Sequence, residues 1–274
     1  MKIRGQLILA CTMVLSIVAY ILSGNHILEI RSDYRYRVRA AALPVSNEML
    51  SAIVGEFEGL AADYLLLEAA SFIGSSNYDD ASPEDWDAVA RLLDQSSFLD
   101  PYFSQTYRLA QATLPWHTEK VQETITILTR SKNHRTWDWL PSFFMGFNYF
   151  YFLNDNLTAS KVLMHAANIP GAPVPLATLA SRLASKAGQA QVALDFLVSI
   201  HDRTEDDNIR LLLEKRILTL RGVVQLQAAI EQFKHTFGRL PETLDELVTF
   251  NILPRLPENP LGKPFTYADG KVDF

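Results

Sequence analysis

Apolar residues open the chain as one block: Leu7 to Leu22 carry no charge, and Lys2 and Arg4 stand before them. About 16 uncharged residues lie just under the roughly 17–25 that span a bilayer and exceed the apolar region of most cleavable signals. Leu22-Ser23-Gly24 also puts Leu where a signal peptidase wants a small residue. The block therefore predicts an uncleaved membrane anchor through residues 7–22. Beyond it, from Ser46 to Phe237, apolar positions recur at three- and four-residue intervals, the spacing that lines one face of a helix. Breaks at "SSNYDDASPED", "LDPYF", "LPWHTE", "RTWDWLP", "LNDN", "IPGAPVP", "AGQA" and "HDRTEDD" divide these stretches. Their spacing of about 15–20 residues predicts antiparallel helix pairs.

After Thr204 the run from about Asp206 to Phe237 has no proline and one glycine, Gly222, so it predicts one long helix or two joined there. Gly238 and Pro241 punctuate its end. "PETLDELV" reads as a short helix, and "FTYADGKVDF" places two β-prone runs around Asp269-Gly270, a hairpin signal. The order predicts an anchor (1–25), a basic linker (26–45), a helical domain (46–204), and a long helix with a small helix-and-hairpin cap (205–274).

A longer period underlies the helices. Pro101, Trp137 and Pro173 each open a predicted pair and lie 36 residues apart (137 − 101 and 173 − 137), a period of helical solenoids. The residues carrying it are Gly146, Tyr149, Ala159, Leu163, Ala166 and Pro170 in one unit. Leu60-Ala61, Tyr64, Ala88, Leu92 and Asp100-Pro101 carry a second, and Ala193, Leu197 and Ile200 a third. This pattern resembles the tetratricopeptide repeat, which implies an all-α, right-handed solenoid of helical hairpins over 46–204. The C-terminal order Gly238-Arg239-Leu240-Pro241, Leu244, Leu247, Leu256-Pro257 and Asn259-Pro260-Leu261-Gly262-Lys263-Pro264-Phe265 resembles the C-terminal half of major pseudopilins of type II secretion. Their N-terminal glycine cleavage site with a glutamate five residues on has no counterpart in Gly5-Gln6-Leu7-Ile8-Leu9. "ADYLLLEAASFIG" (Ala62 to Gly74), the repeats and the tail together are similar to bacterial membrane-anchored repeat proteins, a resemblance that implies an architecture and no activity.

Charge narrows the function classes. A formal net charge of −6 gives no footprint for nucleic acid, and the lone Cys11 excludes an internal disulfide or a multi-cysteine metal site. Arg31, Tyr34, Arg35, Tyr36, Arg37 and Arg39 follow the anchor as a basic-aromatic stretch. It is a candidate contact with lipid headgroups or, equally, a solvated linker or a helix continuing out of the membrane. Lys2 and Arg4 favour a cytoplasmic N-terminus, with the body outside the cytoplasm of a bacterial inner membrane, although these arginines compete.

No catalytic pattern emerges. His26, His117, His134, His165, His201 and His235 form no His-x-x-x-His or Glu-x-x-His pair, and there is no phosphate loop or nucleophile elbow. The acidic clusters Asp79-Asp80, Glu84-Asp85 and Glu205-Asp206-Asp207 fall at predicted helix starts, where carboxylates cap amides. No cofactor is expected. The aromatic run "TWDWLPSFFMGFNYFYFL" predicts a central core helix, with a peptide groove as the sharper alternative. Trp137, Trp139 and Tyr151 at its ends are the candidates for partner binding. The leading expectation is a membrane-anchored protein–protein interaction scaffold of cell-envelope assembly or export. The alternatives are an enzyme or enzyme subunit acting on envelope polymers, or a pseudopilus-like structural subunit.

Overall fold

The charge-free block and the residues after it form one helix, α1 (Lys2–Arg31), in the computed structural model. Backbone is described for residues 2–31, 34–75 and 81–274, and side chains for 12–26, 38–75 and 81–274. The described part of α1 exposes Met13, Leu15, Ile17, Val18, Tyr20 and Leu22 all round the helix. Among the described residues no helix is long and apolar enough to cross a membrane. Leu7–Cys11, the first part of the expected span, lies outside the described side chains. The described residues are all-α apart from one two-stranded sheet, and the chain divides into two compact units, Met1–Ser131 and Lys132–Phe274.

The first unit is organised around α5 (Pro83–Leu99), against which α2 (Tyr34–Ala41), α3 (Asn47–Val54), α4 (Glu58–Ile73) and α6 (Ser104–His117) pack. Ser82 and Asp85 start α5 with a reciprocal capping box, and Pro83 occupies the first turn, where its missing N–H costs nothing. Trp86, Val89, Leu92 and Leu93 of α5 are buried, as are Ala62, Leu65, Leu66, Ala69 and Phe72 of α4, and the Phe72 and Trp86 rings meet edge to face. Helix α7 (Val121–His134), which lies in this unit as far as Ser131, is tied to α5 by Arg130, which donates to Asp94 Oδ1 at 3.0 Å and to Ser97.

Helix starts repeat through the chain at Ser104, Leu140 and Val174, or 36 and 34 residues apart (140 − 104 and 174 − 140). In the second unit α8 (Leu140–Tyr151), α9 (Asn156–Ala167), α10 (Val174–Lys186), α11 (Ala190–Arg203) and α12 (Asp207–Phe237) each pack on the next. Small residues set the approach. A Cβ at Gly146 would stand 2.5 Å from Leu163 Cγ, so α8 and α9 meet closer than any larger residue permits. Ala159, Leu163 and Ala166 are buried there with Ala180 and Leu183 of α10. Ala193, Leu197 and Ile200 are buried with Leu213, Ile217 and Leu220 of α12. The run after Thr204 is one 31-residue helix, α12, which Asp206 caps by accepting from the amides of Asn208 and Ile209.

Gly222 does not break α12, because its role is contact. A Cβ there would stand 2.7 Å from Phe265 Cζ, so the bare backbone admits the cap's ring. Gly238, at φ 70°, ends the helix in the left-handed conformation that glycine adopts without strain. The chain then forms α13 (Asp245–Thr249) and the hairpin β1 (Thr266–Ala268) and β2 (Lys271–Asp273), paired Tyr267 to Val272. Asp269 and Gly270 turn the hairpin at φ 49° and 78°, the pair of positive angles that matches strand twist. Leu247 and Val272 of the cap join Val223, Leu226, Ile230 and Phe233 of α12 in one buried cluster, and Tyr267 donates its hydroxyl to Pro241 O at 2.9 Å.

Candidate functional site

The three aromatic candidates separate. Trp137 precedes α8, is 60% exposed, and lies beneath the Arg135 guanidinium at 5.4 Å. Trp139, at the start of the helix, is partly buried against the α9–α10 core and meets Phe143 edge to face. Tyr151 ends the helix, 55% exposed and stacked on Phe147 at 5.3 Å. A helix rises about 1.5 Å per residue, so Trp137 and Tyr151 stand at opposite ends of roughly 17 Å of α8. Trp139 belongs to the packing, as its place between two helices dictates. At the Tyr151 end, Phe150, Leu153 and Leu157 are also partly exposed, forming a small aromatic and aliphatic surface.

Of the basic-aromatic stretch, the side chains of Arg31, Tyr34, Arg35, Tyr36 and Arg37 lie outside the described residues. Arg39 has an internal task. Its Nε donates to Asp85 Oδ1 at 2.6 Å and its terminal nitrogen to Ser82 Oγ at 2.9 Å. The Asp85 side chain is wholly buried while that of Arg39 is half exposed. Burial pushes the Asp85 carboxyl up, but the bonds from Arg39 and Ser82 outweigh it and hold the group below its usual range. Nearby, Gln95 donates to Leu43 O at 3.0 Å and Val45 O at 3.4 Å, so α5 grips the chain that links α2 to α3.

The histidines and carboxylates make structure. His117, His134, His165, His201 and His235 all lie in the last turns of their helices, where a cationic or donor group suits the dipole. His201 lies between Asp202, at 3.1 Å from Nδ1, and Glu214, at 3.4 Å from Nε2. It lines an open cleft of about 360 Å³ between α11 and α12 with Val198, Ile217, Leu218 and Arg221. No cluster of metal-ligating groups occurs among the described residues. Glu84 and Asp155 are lowered by hydrogen bonds and Glu246 by its bond from Arg239. A general acid needs the opposite displacement, a raised carboxyl. Glu84-Asp85 and Asp206 stand at helix starts as the sequence implied; Asp79-Asp80 lies outside the described residues.

A further exposed apolar surface lies on α3 and α4. Leu60 and Tyr64, expected at packing positions, face outward, because α4 buries Ala62, Leu65, Leu66 and Ala69 instead. Met49, Ile53, Phe57, Leu60, Tyr64 and Leu67 are exposed by 54–69% and follow one another at intervals of three or four residues. The 3₁₀ turn Gly55–Phe57 joins the two helices within this row. Periodicity alone did not separate this face from the buried one, since both are apolar. No protein-family model matches the chain, and no curated protein or solved structure is significantly similar to it.

Proposed function

We propose that the chain is a membrane-anchored protein–protein interaction scaffold in bacterial cell-envelope assembly or export. Residues 7–22 are its anchor and the body lies outside the cytoplasm. The observation that carries this reading is the exposed apolar circumference of α1 from Met13 to Leu22, ahead of a helical body. Monomers in water rarely leave so continuous an apolar surface uncovered, and a bilayer or partner removes the cost. Helical pairs beginning at Leu140 and Val174, with Gly146, Ala159, Ala166 and Ala193 at the close contacts, support a tetratricopeptide-like arrangement in the second unit. The cap on α12 supports the same reading, since a stack of hairpins exposes its core unless its end is covered.

The test is protease access to the body in cells whose outer membrane has been permeabilised, with fractionation of the undigested chain. Digestion before lysis, and loss of the chain from the membrane fraction when residues 2–25 are deleted, are the expected results. Protection until lysis reverses the orientation, and a chain that stays in the membrane fraction without residues 2–25 removes the anchor.

A further inference from the structure

We infer that the row Met49, Ile53, Phe57, Leu60 and Leu67 is a docking face for a basic amphipathic helix of a partner protein, an inference that rests on the scaffold reading and names its partner's chemistry.

Helix α4 carries apolar residues on two faces: one is buried in the first unit, and the other presents Leu60 and Leu67 to solvent behind Phe57 of the preceding turn. A helix apolar on both faces is ordinarily covered on both. Met49, Ile53, Phe57 and Leu60 follow one another at four, four and three residues and Leu67 stands seven beyond Leu60, the spacing of a seam that a second helix fills with its own side chains. Gly59 and Ala52 are exposed in the same region, and a Cβ at Gly59 would meet nothing within 4 Å.

Charge selects the occupant. From Ala40 to Ala90 the sequence holds ten acidic residues and no Lys, Arg or His, and of these Asp85 and Asp87 are paired with Arg39 and Lys120 from outside the stretch. Glu48, Glu56 and Asp63 are exposed beside the row, and Glu58 and Glu68 are half-buried. A second copy of this face would set like charges against each other, and an anionic lipid surface would meet the same repulsion. Lysines or arginines flanking a partner's apolar seam answer these carboxylates, steering the encounter and fixing the register.

The test uses the full chain in nanodiscs of zwitterionic lipid. Its ligands are two labelled synthetic helices with leucines at the same spacing, one flanked by lysine and the other by glutamate, read by fluorescence anisotropy. The lysine peptide should bind at least about tenfold tighter than the glutamate peptide and weaken as salt is raised. Leu60→Asp with Leu67→Asp should remove that binding while the melting curve stays put. Glu56→Lys with Asp63→Lys should reverse the preference between the peptides. Equal affinity for both peptides, undiminished binding to the Asp variant, or equal uptake by empty nanodiscs would overturn the proposal.

A photo-crosslinking residue placed at Leu60, or separately at Tyr151, then separates this inference from the scaffold reading in intact cells. Adducts at Leu60 to a lysine- or arginine-rich helical segment, lost in the Glu56→Lys, Asp63→Lys background, support it. Adducts at Tyr151 alone leave the scaffold standing and sink this face as its docking site. Lipid or self-adducts at Leu60 overturn it as well, and protein adducts at neither position sink both readings.

Discussion

Both units have apolar cores and polar bonds between elements, but their closest contacts differ in kind. In the first, polar side chains reach across helices to fixed partners: Arg39 to Asp85, Gln95 to the carbonyls of Leu43 and Val45, and Ser96 to Ala62 O at 2.9 Å. In the second, close contact is made by absent or small side chains, Gly146 beneath Leu163 and Gly222 beneath Phe265, around apolar clusters. Polar bonds of that kind fix one arrangement but add only about 0.5–1.5 kcal/mol each. Apolar interdigitation contributes more, yet tolerates no change of volume. The bond from Arg39 to the buried Asp85 should therefore make the first unit sensitive to acid, and the contacts at Gly146 and Gly222 should make the second sensitive to side-chain size.

Truncating the cap core should have the largest effect. Phe233 of α12 is fully buried in one cluster with Leu247 and Val272 of the cap, so Phe233→Ala should cost about 3–5 kcal/mol. Hydrogen exchange should show the loss in residues 205–274 and leave α5 protected; equal loss in both units would dissolve the distinction between them. Gly146→Ala should cost about 1–3 kcal/mol by overpacking against Leu163, read as a lower denaturant midpoint in the second unit. A neutral outcome would mean that Leu163 can swing aside and that the close approach is not enforced.

Asp85→Ala removes the N-cap partner of α5 and should cost about 1–2 kcal/mol, confined to the first unit. The pH dependence sharpens this. Asp85 is held below its ordinary range when folded, so its contribution is fully present above the unfolded carboxyl value. It is lost as pH falls through the depressed folded one. Protection of α5 should decline on acidification below the ordinary carboxylate range, and Asp85→Asn should flatten that decline. A profile unchanged by Asp85→Asn would assign the acid sensitivity to other groups. The smallest effect belongs to the exposed row: Phe57→Ser should move stability by no more than about 0.5 kcal/mol. A larger loss, by thermal melting, would mean that the row already packs within the chain.

Much of the fold was legible because local signals agree with the packing. Asp206 and the Ser82-Asp85 pair mark helix starts by capping, Gly238 marks a stop, and Asp269-Gly270 a turn; each acts within a few residues of its own backbone. Gly222 was legible as a position without being legible as a purpose. A glycine in a helix reads as a weak point until Phe265, far along the chain, is found resting on it. Likewise Trp137, Trp139 and Tyr151 look equivalent in sequence, and only the neighbouring helices make Trp139 part of the packing and leave the other two largely exposed.

The sequence by itself determined most breaks between helices from Ser46 onward, the near-36-residue recurrence of their pairs and the hairpin, because these follow from backbone preferences and apolar spacing. That the basic stretch 26–45 holds the end of α1 and α2, and that the run after Thr204 is one helix, was left to the structure. Which face of α4 is buried was left to the tertiary structure, for both its faces are apolar and only packing against α5 chooses between them. The same holds for Arg39, basic and juxtamembrane in sequence, whose bond to a buried carboxylate 46 residues away exists only once α2 and α5 are in place. Periodicity sorts residues into faces, whereas which face finds a partner is a property of the whole arrangement.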